Sequence, residues 1–314
     1  SPPTSPRARH RRWWGACPAY VRALDRRRRN PNFLPGVPIP RGIRITADLS
    51  EAVEPATLLI LAIPAQHLRS VLRRLPRLRR QTAIVNAAKG LERGTAKRLS
   101  EIIVEELGPV PLAVLSGPNI ASEIARGHPA SSVVASRNAR LAARVQHALT
   151  NDRLRLYTST DVPGVELGGA LKNPLAIAAG ISDGLGFGAN AKAALVTRGV
   201  VEMARLGVAL GARRETFWGL SGLGDLITTC MAGRNHWFGE QIGRGRSARA
   251  VLASTPMVIE GVETARAAVV LARRVRVELP IIEQVSAVLF GGRSPRRALQ
   301  ALMARSRKAE SAQD

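Results

Sequence analysis

From about Ile43 the apolar residues of the chain fall into two alternating patterns. Short apolar runs at Leu58–Ile63, Thr82–Ala87, Leu112–Leu115, Ser131–Ala135 and Leu154–Thr158 have the length and β-branched content of buried strands. Between them, Gln66–Arg74, Thr95–Leu107, Ile120–Arg126 and Asn138–Leu149 repeat their apolar positions at helical spacing. Strand, helix, strand in succession predicts an open α/β sheet of parallel strands with right-handed crossovers. After Asp161 the pattern becomes helical almost throughout, over Val162–Ile181, Asn190–Leu210, Gly261–Arg274 and Ile281–Leu289. The predicted architecture is therefore an α/β, Rossmann-like domain over residues 14–158 followed by an all-α domain over residues 159–314. Residues 1–13, rich in Pro, Ser and Arg, read as a disordered tail. Arg11-Arg12 lacks the apolar stretch of a secretion signal, so the segment is expected to be neither signal nor transit peptide.

Composition narrows the class. The chain has 314 residues, 45% of them hydrophobic, which is enough for two ordinary domains and excludes intrinsic disorder. No run approaches the ~18 uncharged apolar residues of a membrane-spanning helix. Two cysteines, Cys17 and Cys230, cannot build a disulfide framework or a cysteine zinc site, and a reduced, cytoplasmic setting is expected. The five histidines show no metal-ligand spacing, so no metal is expected. The formal net charge is +24, yet only five of 47 basic residues are lysines and the excess runs along the whole chain. With few aromatics and no zinc finger or basic zipper, that excess reads as compositional bias rather than a nucleic-acid footprint, and no nucleic-acid partner is expected. Positive potential does favour phosphorylated metabolites.

Ligands of open α/β sheets sit beyond the carboxyl ends of the strands. Lys89 follows the run ending at Ala88 and would point into that crevice, although an ordinary surface lysine would look the same. Ser116-Gly117-Pro118-Asn119 lies at the next strand end, either as a simple turn or as a place where a ligand meets the backbone. Lys172 stands among Gly164, Gly168, Gly169 and Ala170, a stretch that invites close packing. Lysine there is costly to bury without a partner or a task, and unlike arginine it can give up its proton near neutral pH. A lysine reaching to a surface edge is the plainer alternative. Gly219-Leu-Ser-Gly-Leu-Gly224 leads to Asp225, a helix cap or a charge partner, and then to Arg234-Asn235, a pair suited to phosphate or a polyol.

These segments together resemble a known family. Gly164-Val-Glu-Leu-Gly-Gly-Ala-Leu-Lys172-Asn173, Asp183-Gly-Leu-Gly-Phe-Gly-Ala-Asn190 and Thr197-Arg-Gly closely resemble bacterial NAD(P)-dependent glycerol-3-phosphate dehydrogenase. So do Asn30-Pro-Asn-Phe-Leu-Pro-Gly36, Lys89-Gly90, Ser116-Gly-Pro-Asn-Ile-Ala121, Gly222-Leu-Gly-Asp225-Leu and Glu260-Gly261, in order from about Trp14 to Lys308. The resemblance implies reversible hydride transfer between NADPH or NADH and dihydroxyacetone phosphate, giving sn-glycerol 3-phosphate for phospholipid synthesis, by a homodimer. It implies Lys172 as the acid/base, with Asp225 tuning it. It implies substrate contacts at Lys89, Gly117, Asn119, Lys172, Asp225, Arg234 and Asn235, and cofactor contacts at Lys89, Ala121, Arg234, Asn235, Val258 and Glu260.

The chain departs from the family pattern in places. Trp14-Gly15 lines up with the end of the family's second strand, so the first strand, its G-x-G-x-x-G turn and its helix are expected to be missing or replaced, and the Rossmann-like domain truncated. Ala16 stands where a polar or basic residue is common, Asn119 where serine is, and Gly233 replaces the serine before Arg-Asn in a somewhat short loop. The alternative this leaves is a non-catalytic remnant of the family that binds phosphometabolites or dimerises without redox turnover.

Overall fold

A computed structural model describes residues 11–307 and residue 309. The disordered-tail expectation for residues 1–10 lies outside the described residues. Its last part is corrected: Arg11–Trp14 is a strand, β1, with Trp14 turned inward to donate from its indole to Ala47 O (3.1 Å). A helix α1 (Pro18–Arg27) follows, started by Pro18 at its first position and buried through Val21 and Leu24 against Ile45. A short antiparallel hairpin, β2 (Arg29–Asn30) and β3 (Leu34–Pro38), leads to β4 (Ile43–Thr46), which pairs in parallel with β1. Asp48 then caps α2 (Leu49–Val53) by accepting from Glu51 N.

The main sheet has five strands in the order β5 (Leu58–Leu61), β6 (Ala83–Asn86), β7 (Leu112–Ser116), β8 (Ala130–Ala135) and β9 (Leu154–Ser159). The intervening helices are α3 (Ala65–Leu72), α4 (Leu99–Leu107), α5 (Ala121–Ala125) and α6 (Ala139–Leu149). Alternation along β6 explains the layers. Ile84 faces α3 and α4 through Leu68, Leu99, Ile102 and Ile103, whereas Ala83 and Val85 face α6 through Leu141 and Val145. Two expectations need correction. β8 runs antiparallel to β7, so the sheet is not wholly parallel. And α4 starts at Leu99, not Thr95, because Leu91 and Arg98 close a bridge over a turn holding Gly94 (φ 83°) and Ala96 (φ 60°).

Beyond β9 the chain is helical. Asp161 caps α7 (Val162–Gly184), which is buried on all sides along most of its length. Around it pack α8 (Ala189–Ala209), α9 (Asp225–Met231), α10 (Arg234–Gly243), α12 (Glu260–Arg274) and α13 (Pro280–Phe290), with α11 (Ala248–Ala253) and α14 (Pro295–Met303) outside. Before α9, a 3₁₀ turn at Arg214–Trp218 and a wide turn at Leu220–Gly224 bring the chain back against α7. α10 and α7 touch backbone to backbone: a Cβ on Gly180 would lie 2.0 Å from His236 O, and one on Gly239 2.1 Å from Ile177 O. Only glycine permits that approach.

Carboxylates of the helical part reach across to the sheet part, Glu166 and Glu260 among them. Glu166 on α7 accepts from Ser100 N (2.8 Å) and from Arg98 (3.2 Å), and full burial pushes its carboxyl up. Glu260, at the start of α12, accepts from Ala65 N (3.2 Å) at the start of α3. These links fix the crevice between the strand ends of the sheet and the buried helix α7.

Candidate functional site

The crevice is built where the ends of β6 and β7 meet α7 and α9. Lys89 leaves the end of β6, and its Nζ donates to Gly117 O (2.7 Å) and to Asp225 Oδ2 (2.6 Å). Lys172, in the middle of α7, donates to Asp225 Oδ1 and to Thr229 Oγ1 (2.7 Å). Asp225 is the first residue of α9 and is 1% exposed. One buried carboxylate thus holds two ammonium groups, leaving a net positive charge in a low-dielectric pocket. Burial pulls the Lys172 ammonium down to about 8, the neighbouring Lys89 charge pulls the same way, and Asp225 opposes both. A lysine poised there can donate a proton near neutral pH and take it back from water.

Gly117, Asn119, Lys89, Lys172 and Asp225 therefore gather at one place, as the sequence suggests. The packing around the glycine supplies a reason for it. Gly117 has φ +146°, and an added Cβ would lie 2.9 Å from Ser132 Cα and 3.2 Å from Ser131 O. It is glycine so that the turn can pack on the backbone of β8, while its carbonyl holds Lys89. Asn119 accepts from Ser132 Oγ in the same contact.

A second cluster lies beside the Lys89 loop. Glu260 Oε1 is engaged by Ala65 N, but its Oε2 is buried with no hydrogen-bond partner. A Cβ on Gly90 would come within 3.1 Å of that oxygen, which places it next to Lys89 in the chain. Burial raises the Glu260 carboxyl, and the nearby Arg234 charge partly offsets this. Arg234, the first residue of α10, is exposed. An orphaned acceptor in a buried crevice suits a ligand bearing N–H or O–H donors, such as the carboxamide of a nicotinamide or a ribose hydroxyl. The residues present fit a nicotinamide dinucleotide at this end of the crevice.

Asn235 follows Arg234 at the start of α10 and is held by the neighbouring helices. Its carboxamide is buried, with Oδ1 accepting from Gly261 N (2.9 Å) and Nδ2 donating to Asn173 Oδ1 (2.9 Å). Ala121 and Val258 are exposed, the first at the start of the short helix α5 and the second in the loop before α12. The sequence reading gave no role of their own to Thr229, Asn173 or Ser116. Thr229 is detectable in principle, since it lies one turn after Asp225 on the same face of α9. Ser116 Oγ is buried without a partner and would touch a Cβ on Gly169, one turn before Lys172. Among the described residues no group of three or more His, Cys, Asp or Glu is placed to hold a metal. No helix among them is long and apolar enough to cross a membrane.

Comparison with known proteins gives a consistent result over most of the chain. The model of the NAD-dependent glycerol-3-phosphate dehydrogenase N-terminus matches residues 5–142, and that of its C-terminus residues 161–300. The chain is 46% identical to the glycerol-3-phosphate dehydrogenase [NAD(P)+] of Desulfitobacterium hafniense, covering 91% of this chain and 82% of that protein. It is equally similar to that of Thermobifida fusca, over 95% of this chain and 90% of the relative. Among solved structures, the Coxiella burnetii glycerol-3-phosphate dehydrogenase superposes with a TM-score of 0.90 at 37% identity, over 94% of this chain and 91% of that one. The expectation that the first βα unit is missing or replaced is not borne out by these matches, since the N-terminal model applies from residue 5.

Proposed function

The chain belongs to the NAD-dependent glycerol-3-phosphate dehydrogenase family, and on that premise we propose how its own residues carry the reaction. The activity is the reversible reduction of dihydroxyacetone phosphate to sn-glycerol 3-phosphate with NADH or NADPH, which makes the chain an oxidoreductase and its product a precursor for phospholipid synthesis. The part from β1 to β9 holds the dinucleotide, and the helices after it hold the substrate, with Lys89 reaching in from the end of β6.

The observation that carries this reading is the pair of lysines converging on Asp225, with Lys172 drawn down to about 8. NAD(P)H, when bound, supplies the hydride that adds to the ketone carbon. Lys172 then donates one proton from its ammonium to the C2 oxygen as that oxygen becomes an alkoxide, leaving a neutral amine that water reprotonates. In the oxidative direction the neutral amine takes the hydroxyl proton. Lys89 holds a second positive charge beside the forming oxyanion, kept in place by Gly117 O and Asp225. The exposed Arg234 guanidinium is suited to the substrate phosphate, because its fork matches two phosphate oxygens. Glu260 Oε2 would accept a hydrogen bond from the cofactor, Val258 and Ala121 would border it, and Asn119 would lie on the substrate side. A homodimer in the cytoplasm completes the proposal; the exposed free thiol of Cys17 suits a reducing compartment.

The test is oxidation of NADPH and of NADH by the purified chain with dihydroxyacetone phosphate, followed by nicotinamide absorbance. Turnover that Lys172→Ala lowers at least ~100-fold in kcat supports the reading. Absence of turnover with both cofactors overturns it.

A further inference from the structure

Between Lys89 and α4 the chain forms a short strap that touches both parts of the molecule. Leu91 and Ala96 are buried in the apolar core of the helical part, and Arg98 at the far end reaches Glu166 on α7 (3.2 Å). One backbone edge of the strap pairs with the strap itself, Glu92 N donating to Lys97 O (3.0 Å) and Ala96 N to Glu92 O (2.9 Å). On the other edge the partner is a side chain. Gln66, in the first turn of α3, donates from Nε2 to Leu91 O (2.9 Å) and accepts at Oε1 from Arg93 N (2.9 Å). The orientation of this carboxamide is fixed, because a backbone N–H only donates and a carbonyl only accepts. It spans residues 91 and 93 as a neighbouring strand would, and so holds them extended. One turn along α3, Arg69 grips the Glu92 carboxylate with two bonds, Nε to Oε1 (2.7 Å) and Nη2 to Oε2 (2.8 Å).

Lys89 stands at the root of this strap. Gly90, next to it, is seated directly on the start of α3, where an added Cβ would lie 2.9 Å from Ala65 Cβ. The lysine side chain is long and flexible, so the place of its ammonium depends on where its backbone starts. We infer that Gln66 is a positioning residue for Lys89: its carboxamide, backed by the Arg69–Glu92 pair, fixes the strap so that the Lys89 ammonium stands between Gly117 O and Asp225, while Gln66 itself touches no substrate. This rests on the proposed dehydrogenase activity, in which Lys89 supplies the second positive charge beside the forming oxyanion.

The test uses Gln66→Met, which keeps the length of the side chain and loses both hydrogen bonds, and Gln66→Glu, which keeps the acceptor for Arg93 N. Each is made alone and together with Lys89→Met, the reference for a site without the second charge. Gln66→Met is expected to lower kcat by about 10- to 100-fold, since a displacement of about an ångström beside a reacting centre is enough for that. In the Lys89→Met background the same substitution is expected to change kcat by less than about 2-fold, because no ammonium is left to misplace. Gln66→Glu is expected to fall between wild type and Gln66→Met.

Lys172 gives a readout that needs no turnover. The ionisable groups around it are Lys89 from the end of β6 and Asp225 and Cys230 from α9, with Arg234 on α10 and Glu260 on α12 bordering the same crevice. Of these only Lys89 is moved in Gln66→Met. Its positive charge lowers the Lys172 ammonium, so Lys172 should titrate about 1 pH unit higher in Gln66→Met, toward its position in Lys89→Met. The pH dependence of Lys172 acetylation by acetic anhydride, read by mass spectrometry, measures this, and hydrogen exchange at the Arg93 amide reports that the clamp has opened.

A loss of kcat that is equal with and without Lys89 overturns the inference, because Gln66 would then hold the fold rather than the charge. So does an Arg93 amide that stays protected in Gln66→Met, or a Lys172 titration that stays at the wild-type position once that amide exchanges freely. Should Gln66→Met fail to melt cooperatively, the kcat comparison of Gln66→Glu in the two backgrounds decides. A wild type inactive with both nicotinamides would defeat the function instead, and Lys172 acetylation would still judge the clamp.

Discussion

The Lys172 ammonium donates to Thr229 Oγ1 at 2.7 Å, and that hydroxyl donates onward to Asp225 O at 2.7 Å. The hydroxyl is held as an acceptor by its own helix, so it favours the charged form of the lysine. Thr229→Val removes the acceptor at nearly constant volume. A lost hydrogen bond to a charged group, ~1.5 kcal/mol at the low end, corresponds to a fall of about 1 pH unit in the lysine. Reduction needs Lys172 protonated, so the high-pH limb that this lysine, drawn down to about 8 by burial, gives the reaction should move down by that amount. The pH profile of kcat/KM for the two proteins measures it, and superposed limbs would exclude this role for Thr229.

Asp225 is the only carboxylate hydrogen-bonded to either Lys89 or Lys172 among the described residues. Asp225→Asn leaves two ammonium groups close together in a buried site without a countercharge. Breaking a buried pair in this way costs ~3–5 kcal/mol when the remaining charge is uncompensated. The variant should therefore melt well below wild type at pH 7, and its Lys172 should titrate below the wild-type value. A melting temperature equal to wild type would mean that the charges are solvated in a way the geometry does not show.

What the sequence disclosed about this site follows a physical divide. Lys89, Lys172 and Asp225 were legible because each is a charged residue at a place where charge is expensive, a strand end or a glycine-rich buried helix. The five main strands and most helices were legible from period alone. The antiparallel setting of β8 was not, since Ser131–Ala135 reads the same in either direction and only hydrogen-bond register distinguishes them. Nor were β1, α1 and the hairpin of Asn30 and Leu34, where arginines interrupt the apolar period. The pairing of Glu260 with Ala65 joins residues 195 apart in sequence, and no local pattern carries such a contact. Gly117 left two readings open, because a sequence cannot say whether a glycine makes room for a ligand or for a neighbouring strand.

The contact of α7 with α10 sets where Arg234 stands relative to Lys172. Gly239→Ala would drive a methyl group to 2.1 Å from Ile177 O, a backbone atom with nowhere to go. The helices must separate, at a cost of about 1–3 kcal/mol for overpacking. Activity should suffer beyond the loss of stability, with KM for dihydroxyacetone phosphate rising at temperatures where the variant is fully folded. Kinetics well below the melting midpoint separate the two effects. Normal KM in a destabilised Gly239→Ala would show that α10 yields at its far end and leaves Arg234 in place.

Glu202 on α8 lies far from this chemistry and makes a pH-dependent contribution to stability. Its carboxyl is 4% exposed and accepts from Ile281 N (2.7 Å) and Ile282 N (3.3 Å) at the start of α13. Burial nevertheless dominates and pushes it up to about 8, against ~4.3 in an unfolded chain. Between those values the folded state holds a proton that the unfolded state has released, so folding is favoured at low pH and loses stability as pH rises through the window. A shift of this size is worth on the order of a few kcal/mol. Lys172 does not obscure the effect: its lowered value makes stability rise with pH only above about 8. Glu202→Gln keeps an acceptor for Ile281 N but cannot titrate. Denaturant midpoints measured from about pH 5 to about pH 8 should therefore fall less steeply in the variant than in the wild type. Parallel slopes would mean that the two α13 amides hold Glu202 ionised across the whole range.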